Sequence, residues 1–160
     1  MVINSVSYAQ ARSSSINTTI NLSALIPATE INNTLKSRIL DGANRKLSYD
    51  INSGKFNSVY FNVRTESSEI TFPGNYAFTE VFNNLSCSSL SKNESFRFDV
   101  KINDKTLSSG NLVMNGPNLW YRGDDRFYSD TVIEMLSPLI SDNEKKWCSG
   151  NVVLIVHKAL

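Results

Sequence analysis

The sequence predicts an all-β sandwich, and three observations carry that prediction. Apolar residues recur with a period of two rather than 3.6 over most of the chain. Clusters of Asn, Asp, Gly and Pro interrupt the alternating runs at short intervals, where tight turns are needed. No stretch has the length and spacing of a convincing helix. Together these give roughly eight short strands joined by turns, the pattern of a two-layer β domain. The 160 residues, 41% of them hydrophobic, suffice for one domain with its own core and set the chain apart from a disordered tail.

The elements follow in order. In residues 16–26, Ile16, Ile20, Leu22, Ala24 and Ile26 fall on one face, and Asn17, Thr19, Asn21 and Ser23 on the other. Pro27 ends the run, because proline has no N–H to give a continuing ladder. Short apolar runs at 31–35 and 38–40 precede a turn at Asp41 and Gly42. Residues 47–51 alternate, and 52–54 (NSG) turn the chain. Residues 56–64 form a strand with Val59, Phe61 and Val63 on one side. A short strand is expected at 69–72, stopped by Pro73 and Gly74. Residues 76–82 suit a strand or a short helix. Phe96, Phe98, Val100 and Ile102 share one face of a single strand over 95–102, which turns at 103–105 and returns over 106–114. Residues 115–118 (NGPN) are a loop. Residues 130–137 read as a strand, though 132–136 would also fit one helical turn. The closing strand, 152–156 (VVLIV), is apolar on both faces.

Charge narrows the partners. The net charge is +1, so there is no broad basic face for nucleic acid or anionic membrane. No run of 18 apolar residues occurs. Residues 9–11 (AQA) have the small-x-small form of a signal-peptidase site, so residues 1–11 are expected to be the remnant of a signal peptide. Cys87 and Cys148 are spaced too widely for a metal site and suit one disulfide in an oxidising compartment. The alternative is two buried thiols.

Candidate chemistry is sparse. There is one histidine, His157, and no nucleophile elbow, Walker loop or HExxH motif. No catalytic residue, metal site or cofactor is predicted, and the chain is expected not to be an enzyme. Asp124, Asp125, Asp130 and Glu134 fit no calcium loop and suit a solvated segment. Arg122, Gly123 and Asp124 form an RGD triplet, which binds integrins when a tight loop displays it. A motif this short also arises by chance. Leu119, Trp120, Tyr121, Phe127 and Tyr128 gather near Arg122 and Arg126. Trp120, Tyr121 and Arg122 are the candidate ligand loop, since aromatics stack on sugar rings and arginine bonds their hydroxyls. The plainer alternative is a core or subunit-contact cluster.

The two ends of the chain suggest a mechanism. A strand apolar on both faces needs cover on each side and a partner at each edge. An extended segment from a neighbouring chain can supply that partner, with main-chain bonds for affinity and alternate side chains for specificity. Ile16, Ile20, Leu22, Ala24 and Ile26 have the spacing such a donor requires, and Val152, Leu154 and Val156 would line the acceptor groove.

At this point the sequence resembles a family. Residues 20–27 (INLSALIP) are similar to the N-terminal donor segment of the major pilins of class 5 (alpha) fimbriae, the colonisation-factor type built by the alternate chaperone–usher pathway. Residues 47–49 (LSY), 56–58 (FNS) and 63–65 (VRT) are similar to that family's early strands. Residues 98–102 (FDVKI) with 105–107 (KTL) look like its penultimate hairpin. Residues 149–156 (SGNVVLIV) look like its closing strand after a glycine turn. The two cysteines depart from the family, whose major pilins usually lack them.

The resemblance implies an immunoglobulin-like β-sandwich pilin domain over residues 28–160, lacking its last strand, with residues 12–27 as the donor-strand segment. It implies a structural subunit that polymerises on the surface of a Gram-negative bacterium, is exported through the periplasm and supports host-cell adhesion. Implied partners are identical or related pilin subunits, a periplasmic chaperone, an outer-membrane usher, a tip adhesin and a host-cell receptor, with no nucleic acid among them. The competing expectation is a monomeric secreted β-sandwich that binds glycan or protein through the aromatic loop, its N-terminal segment paired within its own chain.

Overall fold

A computed structural model describes residues 19–25, 35–140 and 146–159. Fourteen strands lie among them: β1 (Thr19–Leu25), β2 (Leu35–Ile39), β3 (Asn44–Lys46), β4 (Tyr49–Asp50), β5 (Lys55–Phe56), β6 (Val59–Ser67), β7 (Tyr76–Ser88), β8 (Asn93–Phe96), β9 (Asp99–Ile102), β10 (Lys105–Thr106), β11 (Asn111–Met114), β12 (Tyr121–Arg122), β13 (Phe127–Leu136) and β14 (Trp147–Lys158). One 3₁₀ turn spans Ser108–Gly110.

Two six-stranded sheets form the layers. In the first the order is β11-β7-β14-β1-β3, with β8 also on β7; in the second it is β10-β9-β13-β6-β2, with β12 also on β13. A small β4–β5 ribbon stands apart. Alternation along the strands, interrupted in β7, packs the two sheets together. Phe61 and Val63 of β6, Ile133 and Met135 of β13, and Val100 and Ile102 of β9 meet Phe78, Leu85, Val152, Leu154 and Val156 from the first sheet, all buried. Removing such apolar surface from water is the main favourable term in folding.

Sequence patterning locates most of this, and the departures have physical causes. The expected single strand over 95–102 is two strands in different sheets: β8 pairs with β7, and β9 with β13. The chain crosses between layers at Arg97 and Phe98. There the Asn83 side chain stands in for a ladder neighbour, accepting from the Phe98 N–H at 2.9 Å and donating to the Phe98 carbonyl at 2.9 Å. The turn after β9 is a two-residue hairpin with Asn103 and Asp104 both at positive φ, the backbone such tight hairpins require. The returning segment does not stay with β9. After β10 it crosses to the other sheet, where β11 pairs with β7. Residues 69–72 form no strand; Ile70 and Phe72 are exposed there. Residues 76–82 are strand rather than helix and continue to Ser88. Residues 132–136 are likewise strand, within β13.

Gly150 does not make the turn expected before the closing strand. It lies inside β14, paired with Leu85 on one side and Ile20 on the other. A Cβ there would lie 2.7 Å from the Asn84 carbonyl oxygen and 3.0 Å from the Phe98 ring. The first contact is with backbone, which cannot swing aside. Gly150→Ala is therefore expected to destabilise the fold by about 1–3 kcal/mol through overpacking, read as a lower urea midpoint with an unchanged slope. An unaltered midpoint would show that the two strands separate freely at this point.

Candidate functional site

The first candidate site is the edge of β14 that faces away from β7. β7 holds the opposite edge along its length, from Trp147 against Ser88 to Lys158 against Tyr76. Cys87 and Cys148 are directly opposite in that ladder and are joined as a disulfide, so β14 is tied covalently to its neighbour near its start. A register shift between Val153 and Leu154 leaves Val81 as an extra residue on β7. Such a bulge bends the strand that carries it.

The other edge of β14 carries β1, in parallel. Ile20 stands opposite Gly150, Leu22 opposite Val152 and Ala24 opposite Leu154. Of the proposed donor positions, Ile16 and Ile26 lie outside the described residues. Val152, Leu154 and Val156 are fully buried, while Val153 and Ile155 are half-buried. The closing strand is thus apolar on both sides and covered chiefly on one.

Beyond β1 lies β3, antiparallel to it with Thr19 against Lys46 and Asn21 against Asn44. β3 has its own anchor, independent of β1. The Arg45 guanidinium donates to the carbonyls of Asp41 at 2.9 Å and Gly42 at 2.8 Å, ion-pairs with the Asp41 carboxylate at 2.8 Å and lies over the Phe61 ring at 4.6 Å. Partial burial would raise the Asp41 carboxyl, but the Asn62 backbone N–H and Arg45 overcome it and hold it below its ordinary value. β14 and β3 therefore form two walls, each fastened elsewhere, and β1 lies between them.

The second candidate site is the hairpin of β12 and β13. The three residues proposed as a ligand loop separate. Trp120 is buried, stacked near Tyr76 at 5.2 Å, and its indole N–H donates to the Gly74 carbonyl at 2.6 Å. Tyr121 and Arg122 are exposed. The Tyr121 ring lies 5.7 Å from that of Tyr128, and its hydroxyl donates to Asp130 at 2.8 Å. Arg64 takes both Asp130 oxygens at 2.7 and 2.8 Å. Arg64 holds the Asp130 carboxyl below its ordinary value, and Asp130 raises Arg64 in return. Desolvation, and then the bond to Asp130, push the Tyr121 phenol up.

The remaining candidates fall into place on the same framework. Glu134 accepts from the Tyr60 hydroxyl at 2.9 Å on the outward side of β13. His157 Nε2 lies 2.9 Å from the Thr79 hydroxyl across the β14–β7 ladder. Sequence patterning passed over Lys146, a buried lysine whose ammonium donates to Glu94 at 2.6 Å just before β14. Lys146, with Lys92, lowers the Glu94 carboxyl.

No family model and no curated protein sequence matches the chain. Among solved structures it is similar to the CooA pilin subunit from enterotoxigenic Escherichia coli, with a TM-score of 0.51 and 11% sequence identity, over 79% of this chain and 99% of that one. The fold is that of a pilin subunit. At this identity the likeness is one of fold alone.

Proposed function

We propose that the chain is a structural subunit of a surface fimbrium of the class 5 type, which polymerises by donating its N-terminal strand to a neighbour. The observation that carries this is the place of β1. It lies in the interior of a sheet, between β14 and β3, and is the first described strand of the chain. A strand so placed can be exchanged for its copy in another molecule with the rest of the sandwich unchanged. The contact would be head-to-tail and open, so it would build a filament.

The direction of β1 supports exchange. Within one chain it runs parallel to β14, and parallel ladders are slightly less stable per residue than antiparallel ones. A neighbour's strand that enters the other way round would be antiparallel to β14 over its six paired positions and parallel to β3 over three, a net gain along the longer ladder. Ile16, Ile20, Leu22, Ala24 and Ile26 are the proposed donor residues, and Val152, Leu154 and Val156 the proposed groove. A periplasmic chaperone would cover the groove before assembly, an outer-membrane usher would catalyse exchange, and the fibre would carry an adhesin toward host cells.

The self-pairing of β1 also favours a second reading, a secreted monomer whose sandwich is complete. Light scattering after size-exclusion chromatography separates the two. The chain from Arg12 is expected to form oligomers on incubation at high concentration. A variant that begins at Ala28 and carries residues 15–27 after Leu160 is expected to remain a monomer. If the first protein stays monomeric at every concentration and takes up no labelled 15–27 peptide, the fimbrial reading falls and the monomeric binding module takes its place.

A further inference from the structure

We infer that the tip of the β12–β13 hairpin is a recognition loop for a host receptor of the integrin class, read through Arg122 and Asp124. It rests on the proposed export to a surface that host cells meet, but not on donor-strand assembly. The hairpin belongs to the second sheet, whereas β1, β3 and β14 belong to the first.

The fold displays the triplet. Arg122 pairs with Phe127 across the hairpin, and the Gly123 N–H donates to the Arg126 carbonyl at 2.8 Å. Residues 123–126 therefore form the tight tip, with Arg122 at its base. Arg122, Asp124 and Asp125 are exposed. The tip is also packed down on the sheet. A Cβ on residue 123 would lie 2.3 Å from the Tyr128 ring, so a larger residue there would have to push that ring aside. Tyr128 is itself packed by Tyr121 and by Arg64, whose guanidinium lies 5.5 Å from the ring centre. A loop fixed before binding loses little entropy when a receptor engages it.

Charge distinguishes the triplet from its neighbours. Arg126 pairs with Glu66 at 3.4 Å and Asp125 at 3.6 Å. Among the described residues, the Asp124 carboxylate and the Arg122 guanidinium take part in no hydrogen bond or ion pair; Arg122 only overlies the Phe127 ring at 5.7 Å. The tip thus offers one uncommitted carboxylate and one uncommitted guanidinium, two residues apart. An integrin-type receptor supplies the complements: a bound divalent cation that takes a carboxylate oxygen, and acidic side chains that take the guanidinium in paired hydrogen bonds. A sugar has less to hold here. Asp130, Arg64 and the Tyr121 hydroxyl, the groups that would meet its hydroxyls beside the tyrosine rings, are bonded to one another.

The test is surface binding of the full chain to the purified ectodomain of the vitronectin receptor, an RGD-reading integrin, in manganese-containing buffer. Binding is expected, is expected to vanish in EDTA, and is expected to be displaced by a cyclic RGD peptide. Asp124→Glu keeps the charge but lengthens the side chain, and should weaken binding by roughly tenfold or more. Asp125→Glu should leave it unchanged. An unshifted thermal midpoint for Asp124→Glu would assign its loss to recognition. Peptide competition on the unaltered chain tests the inference even if that variant misfolds. No binding in manganese, binding that survives EDTA, binding removed by deglycosylating the receptor, or equal binding by Asp124→Glu would each overturn it.

Discussion

A chain shortened to begin at Ala28 will fail to reach a stable monomeric fold, and a free peptide of residues 15–27 will restore it. The shortened chain lacks β1, so the β14 edge from Gly150 to Ile155 loses its ladder partner and β3 loses its own. Each lost backbone bond costs about 1 kcal/mol net, and more where the group stays shielded from water. Behind that edge lie Val152 and Leu154, two of the most buried side chains in the core. The sum is comparable with the roughly 5–15 kcal/mol that holds a typical domain together. Size-exclusion chromatography and binding of an apolar dye would read the loss. The anchored walls predict the rescue: Arg45 holds β3 to the Tyr60 carbonyl and the Phe61 ring, and Cys148 holds β14 to β7, both without help from β1, so the groove should be partly preformed for the peptide. A cooperatively folding monomer without peptide would show that β1 is dispensable and that no strand need be donated.

The places where sequence patterning succeeds and fails separate along physical lines. β6 and β14 are legible because burial on one face of a sheet imposes a period of two, and Phe61, Val63, Val152, Leu154 and Val156 obey it. The same period cannot say which sheet a residue faces. Phe96 and Phe98 fit one alternation although the chain changes layers between them; the feature that marks the corner, the Asn83 side chain, is 15 residues away in sequence. β7 runs on through Asn83 and Asn84, poor strand formers, because β14 pairs along that whole stretch and tertiary pairing overrides local preference. Ile70 and Phe72 mislead in the opposite sense, being apolar residues that the fold leaves in water. Gly150 resembles a turn glycine because sequence alone does not show the carbonyl and the ring that crowd it. The candidate sites divide in the same way. The period of residues 16–26 points to an added strand, and the RGD triplet is visible by inspection. The parallel register of β1 and the uncommitted charges of the hairpin tip emerge only once distant strands are side by side.

Replacing both Cys87 and Cys148 by alanine will lower the stability of the chain by about 4 kcal/mol, the value the loop-entropy model gives for a bond that joins residues 61 apart. For a domain of this size that is a downward shift of about 2 M in the urea midpoint. The native fold should survive, because β7 and β14 remain paired on both sides of the lost bond, from Trp147 to Lys158. The loss should therefore appear in the unfolding equilibrium rather than in the spectrum of the native state. Both cysteines are buried, so a mild reductant should leave the folded protein untouched and act only once the strands part. The bond also matters for assembly. It fixes one end of the acceptor strand while the opposite edge accepts or releases β1, so the alanine pair should exchange labelled 15–27 peptide faster than the unaltered chain. An unchanged midpoint would mean that the unfolded chain is already constrained where the bond closes it. An unchanged exchange rate would mean that β14 keeps its place through its ladder with β7 alone.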